Sequence, residues 1–246
     1  VVPKELAPTP EELISIISKY NTVFDIDCVD DEKLEMTYVL NMADLHFGLN
    51  TAEDYNNYQT AILRDLENQY KEVILLNLGD YLHVNDLKSR TANDTRISDT
   101  NFQNMWEEGL LFIDPIIQHA LKNSPNVRYV FNRGNHDEAS SWSFTQLLKE
   151  RYPQMEVDDS LKMLKCVTFD EVAIFTTHGH VKKNNIAQLC ATLYPMEWAK
   201  AKARFLFTGH LHQISDKDLT GIVHFQQPTP SKHTDYEDDN LFLGSK

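Results

Sequence analysis

The sequence predicts an α/β fold, and three observations carry that reading. Apolar, buried-strand runs alternate with segments of helical pattern along most of the chain. Alternation of this kind builds sandwiches of helices on a largely central sheet. Five of the runs also exit into polar clusters, and ligands of open α/β sheets bind outside the carboxyl ends of the strands.

In chain order, Thr9-Pro10-Glu11-Glu12 reads as a helix start, with Thr as N-cap and Pro at the first helical position, for a helix over residues 11–20. Residues 21–33 are acidic and read as a loop or irregular strand. A strand over 36–42 ends at Asp44. A helical pattern over 52–70 leads to a strand over 73–78 that ends at Gly79-Asp80. A helix over 102–122 precedes a strand over 127–131 that ends at Gly134-Asn135-His136-Asp137. A helix over 142–152 is followed by a looser region with a strand over 163–169. The next strand, 172–177, ends at His178-Gly179-His180. A helical pattern over 186–203 leads to a strand over 205–207 that ends at Gly209-His210-Leu211-His212, and residues 222–226 read as one more strand. With no internal repeat or low-complexity linker, the expectation is a single domain: lead-in 1–35, core 36–226 and polar tail 227–246.

Composition narrows the function classes. At 246 residues, with 41% hydrophobic and 24% charged residues, the chain is long enough for a real core and ordinary for a globular protein. No segment approaches ~18 consecutive apolar residues, which speaks against a membrane-spanning helix. Val1-Val2-Pro3-Lys4 has neither the basic nor the apolar part of a signal peptide, so Asn93-Asp94-Thr95 reads as a chance sequon. The scattered Cys28, Cys166 and Cys190 form no disulfide framework, which points to a reducing, cytoplasmic compartment. A net charge of −14 repels polyanions and weighs against a broad nucleic-acid footprint.

The strand-exit clusters carry the chemistry. His, Asp and Asn are hard-to-borderline ligands, and the clusters supply enough of them for two divalent ions. If the first strand runs on through Asp44 and His46, both side chains lie on one face and can grip one ion. Gly79 allows a sharp exit that leaves the Asp80 carboxylate at the sheet edge, where its two oxygens can bridge two ions. The plain alternatives are a helix N-cap for Asp80 and polar turns elsewhere. Five such turns at strand exits, in this order, make coincidence a poor account. Two divalent ions carry four positive charges against the two negative charges of Asp44 and Asp80, so the pocket is locally positive and suits a phosphate.

The order D-x-H, G-D, G-N-H-D, H-G-H, G-H-x-H resembles the calcineurin-like metallophosphoesterase superfamily, over about residues 36 to 212. The resemblance implies a four-layer α/β-β/α sandwich. It assigns one metal to Asp44, His46, Asp80 and His212, and a second to Asp80, Asn135, His178 and His210. His136 takes the place of the catalytic histidine and Asp137 that of the acid that orients it. The implied activity is a phosphoesterase using a metal-activated water, with His136 as general acid. A phosphodiesterase or DNA exonuclease of the SbcD-like branch is expected ahead of a phosphomonoesterase, and a non-catalytic scaffold ranks below both. Mn²⁺ is the first metal expected, with Fe, Zn or Mg as alternatives. The partner is a phosphate-ester substrate, including nucleic acid or a nucleotide, and no membrane.

Several residues remain open between site and surface. His180 is a second candidate beside His178, for ligation or for substrate contact. Arg133 reaches either the pocket rim or a surface ion pair. His83 and Asn85 border the pocket, where leaving-group contacts are common in the family. Residues 88–100, with Lys88, Arg90 and Arg96, read as a solvated loop or a phosphate-grasping one. Lys182-Lys183 has the same ambiguity, and His233, Asp235 and Tyr236 have no spacing argument behind them.

Overall fold

The computed structural model describes residues 22–29, 34–97, 100–181 and 184–231. The expected N-terminal helix over 11–20, Lys182-Lys183 and the tail residues His233, Asp235 and Tyr236 lie outside them.

Among the described residues nine strands form two sheets. β1 (Thr37–Met42), β2 (Glu72–Asn77), β3 (Val127–Phe131) and β4 (Glu156–Asp158) make an all-parallel sheet in that order. β5 (Lys165–Phe169), β6 (Val172–Thr176), β7 (Ala203–Thr208), β8 (Ser215–Leu219) and β9 (Ile222–Gln226) make a mixed sheet in the order β5-β6-β7-β9-β8. In it β6, β7 and β9 are parallel, and the edge strands run against them.

The side-chain period of two explains why the sheets stack. In β2, Ile74 and Leu76 face a core shared with Val130 of β3, Ile174 of β6 and Phe205 and Phe207 of β7. The alternate residues Val73 and Leu75 turn to the opposite core, with Tyr129 and Phe131 and the helices α1 (Asn56–Asp65), α2 (Phe102–Asn123) and α3 (Glu138–Arg151). Ala173, Phe175 and Leu206 face the outer layer of α4 (Ile186–Leu193) and α5 (Pro195–Lys200). Helices, sheet, sheet and helices are therefore four layers. Both sheets are covered on both faces, as runs without polar alternation require.

The two stacked sheets are those the resemblance implies; strand and helix alternate along the chain in the same way for one central sheet or two. Two details depart from the sequence reading. The helical pattern over 186–203 breaks at Tyr194-Pro195 into α4 and α5, since proline interrupts one helix and opens the next. β4 and β8 were not expected. The first has three residues, and the second, Ser-Asp-Lys-Asp-Leu, is a charged edge strand.

Candidate metal centre

β1 and β2 of one sheet and β6 and β7 of the other deliver their exits to one place. The junction is stitched from both sides: the Asp44 backbone N–H donates to Gly79 O at 3.2 Å and that of Gly209 to His178 O at 2.9 Å. Between the sheets, Thr176 Oγ1 donates to Asn132 Oδ1 at 3.0 Å.

The exits are not continued strands. β1 stops at Met42, and Asp44 (φ 54°) and His46 (φ 51°) are left-handed, as are Asp80 (φ 52°), His210 (φ 75°) and His212 (φ 54°). The expectation that a running strand sets Asp44 and His46 on one face is corrected, since a tight left-handed loop brings them together instead. His178 and His180 also lie on a left-handed turn and not on a strand, because β6 ends at Thr176 and Gly179 sits at φ 106°. Left-handed backbone at a residue other than glycine costs of order 1–3 kcal/mol and persists where surroundings over-determine it. Five of the eight such residues described are candidate ligands, so the strain is concentrated here.

Two glycines permit the approach. Gly79 has φ 93°, and a Cβ on it would sit 2.7 Å from His178 Nδ1. A Cβ on Gly134 would collide with Asp80 Oδ1 and the Asp80 backbone N, and reach Asp137 Oδ1 at 2.5 Å.

Two donor groups result. Asp44, His46 and His212 offer atoms all within 4.8 Å of one another, as do Asp80, His178 and His210. Asn135 joins the second group, its Oδ1 lying 2.9 Å from His178 Nε2. Both carboxylates and His46 and His178 are buried. His83 and His136 gather with His46 in a third histidine cluster. His46 reaches His83 through Nδ1 (3.4 Å) and His212 through Nε2 (3.4 Å), and the His83 and His136 rings stack at 5.4 Å.

The donor set fits cations. His178 Nδ1 faces the carbonyl of Leu78 at 2.9 Å, and a carbonyl can only accept, so the proton sits there. His178 Nε2 then points at two oxygens, Asp80 Oδ2 at 3.1 Å and Asn135 Oδ1 at 2.9 Å. Burial disfavours charge on His178, but the Asp80 carboxylate overrides it and pushes the imidazole pKa up to about 9. Burial works against the Asp80 charge as well, yet His178 holds that carboxyl well below the usual range. A cation held by Asp80 Oδ2 and Asn135 Oδ1 would take the place of a proton on His178 Nε2. Three other imidazoles, His46, His83 and His210, are kept neutral, as ligands must be. Burial and the neighbouring His136 hold His46 well below its ordinary pKa and His83 at about 4, while burial and His178 hold His210 at about 4.

Not every expected role matches the geometry. Asp137 does not touch the His136 ring: the His83 carbonyl takes His136 Nδ1 at 3.1 Å. The Asp137 carboxylate is fully buried and turned away, accepting from Leu82 N at 2.8 Å. Burial and then the Asp80 charge push its pKa up to about 8. Asp80 is not a helix N-cap, since no helix follows it. Asn85 caps α3, accepting from Ala139 N at 2.6 Å and Ser140 N at 3.3 Å. Arg133 pairs with Glu138 at 2.8 Å and donates to Leu161 O at 3.0 Å. Arg90 is tied to Asp86 and Asp94, so its loop neutralises that charge internally. His180 packs on the His178 and His210 rings, and its buried Nδ1 has no partner among the described residues.

Sequence reasoning missed the supports. Thr229 Oγ1 donates to Asp44 O at 2.6 Å. Asn50 Nδ2 donates to Leu45 O at 3.1 Å and to Ser231 Oγ at 2.8 Å. Asn77 Oδ1 accepts from Gly79 N at 3.0 Å, and Gln226 donates to Gly209 O. The available signal was a polar residue closing an apolar strand, as Asn77 and Gln226 do.

Buried carboxylates and imidazoles at the facing ends of two stacked sheets suit a metal-dependent hydrolase of the phosphoesterase type. The chain belongs to the calcineurin-like phosphoesterase family, whose model matches residues 37–243. No curated protein matches it. Among solved structures it is similar to a single mutant of Vps29 from Entamoeba histolytica, with 13% identity over 80% of this chain and 77% of that one and a TM-score of 0.42. It is also similar to YfcE, a phosphoesterase from E. coli, with 15% identity, 80% and 82% covered and a TM-score of 0.41. A novel archaeal phosphodiesterase matches with 13% identity, 78% and 83% covered and a TM-score of 0.39. Among the described residues no helix is long and apolar enough to cross a membrane.

Proposed function

We propose that this chain is a phosphodiesterase that works with two divalent ions, one held by Asp44, His46 and His212 and the other by Asn135, His178 and His210, with Asp80 shared. The observation that carries the reading is the pair of abutting donor groups at the exits of both sheets. Bound there, two such ions would neutralise phosphate charge and lower the pKa of an attacking water. Oxygen and imidazole donors without thiolate suit Mn²⁺ first, with Fe, Zn and Mg as the alternatives.

The chain's own groups supply the rest. Asp80 is oriented by the His136 backbone N–H, which donates to its Oδ1 at 2.8 Å. His136 donates its Nδ1–H to the His83 carbonyl, which leaves Nε2 to face the leaving oxygen, and in the doubly protonated ring that nitrogen would hand over its proton. Stacking on His83 holds that ring in place. His180, half-buried and packed on the His178 and His210 rings, is a substrate contact beside the second group.

Charge favours a diester. Arginine and lysine clamps serve dianionic phosphoryl groups, whereas the guanidinium of Arg133 is occupied by Glu138 and Leu161. A phosphodiester brings a single negative charge, which the ions alone can meet. With a net charge of −14, a small diester or strand end suits the chain better than a long duplex. The unpaired thiols Cys28, Cys166 and Cys190 support a reducing, cytoplasmic compartment.

The test is turnover of bis(p-nitrophenyl) phosphate, p-nitrophenyl phosphate and linear DNA with Mn²⁺, for the native chain and Asp80→Asn. Diester cleavage that the substitution abolishes is expected. Preference for the monoester overturns the diesterase reading, and bound metal without any hydrolysis points to a scaffold.

A further inference from the structure

We propose that a groove of about 400 Å³ beside the centre, lined by Asn85, Ala92, Glu138, Ala139, Trp142 and Leu161, binds the nucleobase of the substrate, with Trp142 as its stacking face. The inference rests on the phosphodiesterase reading above and names the group esterified to the phosphate.

The groove is tied to the centre through the backbone. Its Ala92 backbone N–H donates to both Asn135 O and His136 O at 3.1 Å. Glu138 directly follows Asp137, so a phosphate at His136 has this groove as its neighbour.

Its walls match a flat, uncharged, hydrogen-bonding ring. Glu138, Ala139 and Trp142 share one face of α3, at i, i+1 and i+4, and Ala92 and Ala139 add only small side chains to the lining beside the indole. Trp142 is 38% exposed, and its Nε1–H is fixed to Asp159 O at 3.1 Å, so the ring is held at the surface before any ligand arrives. Asn85 spends its side-chain oxygen on Ala139 N and Ser140 N. That orients the amide, and its Nδ2–H₂ group, unpartnered among the described residues, is a donor for a ring nitrogen or carbonyl. Aromatic stacking with an amide on the base edge is how unstacked bases are read. Arg133 and Glu138 cancel one another at the rim, so the groove offers no net charge to a second phosphate. A purely aliphatic group would gain nothing from the oriented amide.

The experiment uses the Mn²⁺-loaded full chain and two diesters that release the same nitrophenolate, thymidine 5′-(p-nitrophenyl phosphate) and methyl p-nitrophenyl phosphate. Trp142→Ala is expected to lower kcat/KM for the nucleoside ester by about tenfold or more, the scale of one stacked base. The methyl ester should stay within about twofold, and Trp142→Phe should restore part of the loss. An equal effect on both esters, or none on either, overturns the subsite while leaving the diesterase intact. If neither ester is hydrolysed, the diesterase reading fails and tryptophan fluorescence decides the groove. Quenching by thymidine 5′-phosphate that methyl phosphate does not produce, lost in Trp142→Ala, upholds it; no such quenching overturns it.

Discussion

Asp44 and Asp80 occupy matching places, each just past the end of neighbouring parallel strands and each left-handed, yet their charges are met differently. Asp44 takes the His210 backbone N–H on both oxygens, at 3.0 and 2.8 Å, a donor fixed by the opposite sheet. Asp80 takes one backbone N–H, from His136, and one imidazole, His178 at 3.1 Å, whose proton its own charge retains. The first group leans on backbone, with His212 Nε2 at 3.6 Å from Asp44, and the second on a closer titratable partner. Filling the second with a cation would displace the proton that His178 shares with Asp80.

The largest expected effect removes the distinction altogether. Gly134→Ala pushes a Cβ into Asp80 and Asp137, so both groups should lose metal and activity should fall below detection. The overpacking should also cost about 1–3 kcal/mol of stability, read as a lower melting temperature. Retained metal content would show that Asp80 has room to move. Next in size is His136→Ala, expected to lower kcat about 10²–10⁴-fold with both metals still bound by elemental analysis. Metal loss in that variant would assign His136 a ligand role instead.

A smaller effect separates the groups. Thr229→Val removes the hydroxyl that holds the Asp44 carbonyl. Partners outside a metal's own ligands typically contribute 10–100-fold in affinity, so titration calorimetry should show one weakened site of the two. Equal weakening of both would contradict a backbone-organised first group.

The smallest effect concerns the metal-free chain and pH. His178, with a folded pKa of about 9 against 6.5, contributes stability that is full below pH 6.5 and lost as pH rises through about 9. His83 and His210, at about 4, contribute stability that is present above pH 6.5 and lost as pH falls through about 4. Melting temperature in chelator should therefore peak near pH 6.5. Asp137, raised to about 8, adds to the alkaline loss, so His178→Gln should make that limb shallower and end it near pH 8 rather than 9; an unchanged limb would remove the proton from the second group.

The sequence shows the site's chemistry more clearly than its geometry. Polar clusters at strand exits are local patterns, so Asp44, Asp80, Asn135, His178 and His210 stand out and the structure gathers them. Left-handed loops are a tertiary outcome, and nothing in D-x-H distinguishes them from a continued strand. Asn50 meets Ser231 across 181 residues of chain, a pairing no local pattern encodes. The Asp137 carboxylate follows the Leu82 N–H, a choice set by how two loops dock. Strands β2 and β3 were readable because they are buried on both faces, whereas β8 is charged and looks like a loop until β9 pairs with it.

The shared carboxylate is the central claim, and metal stoichiometry tests it most directly. Native mass spectrometry of the Mn²⁺-loaded chain should show two ions per chain, with one remaining in His212→Ala. Asp80→Asn should weaken both. Two ions bound as tightly in Asp80→Asn as in the native chain, or one ion at saturation in the native chain, would contradict it.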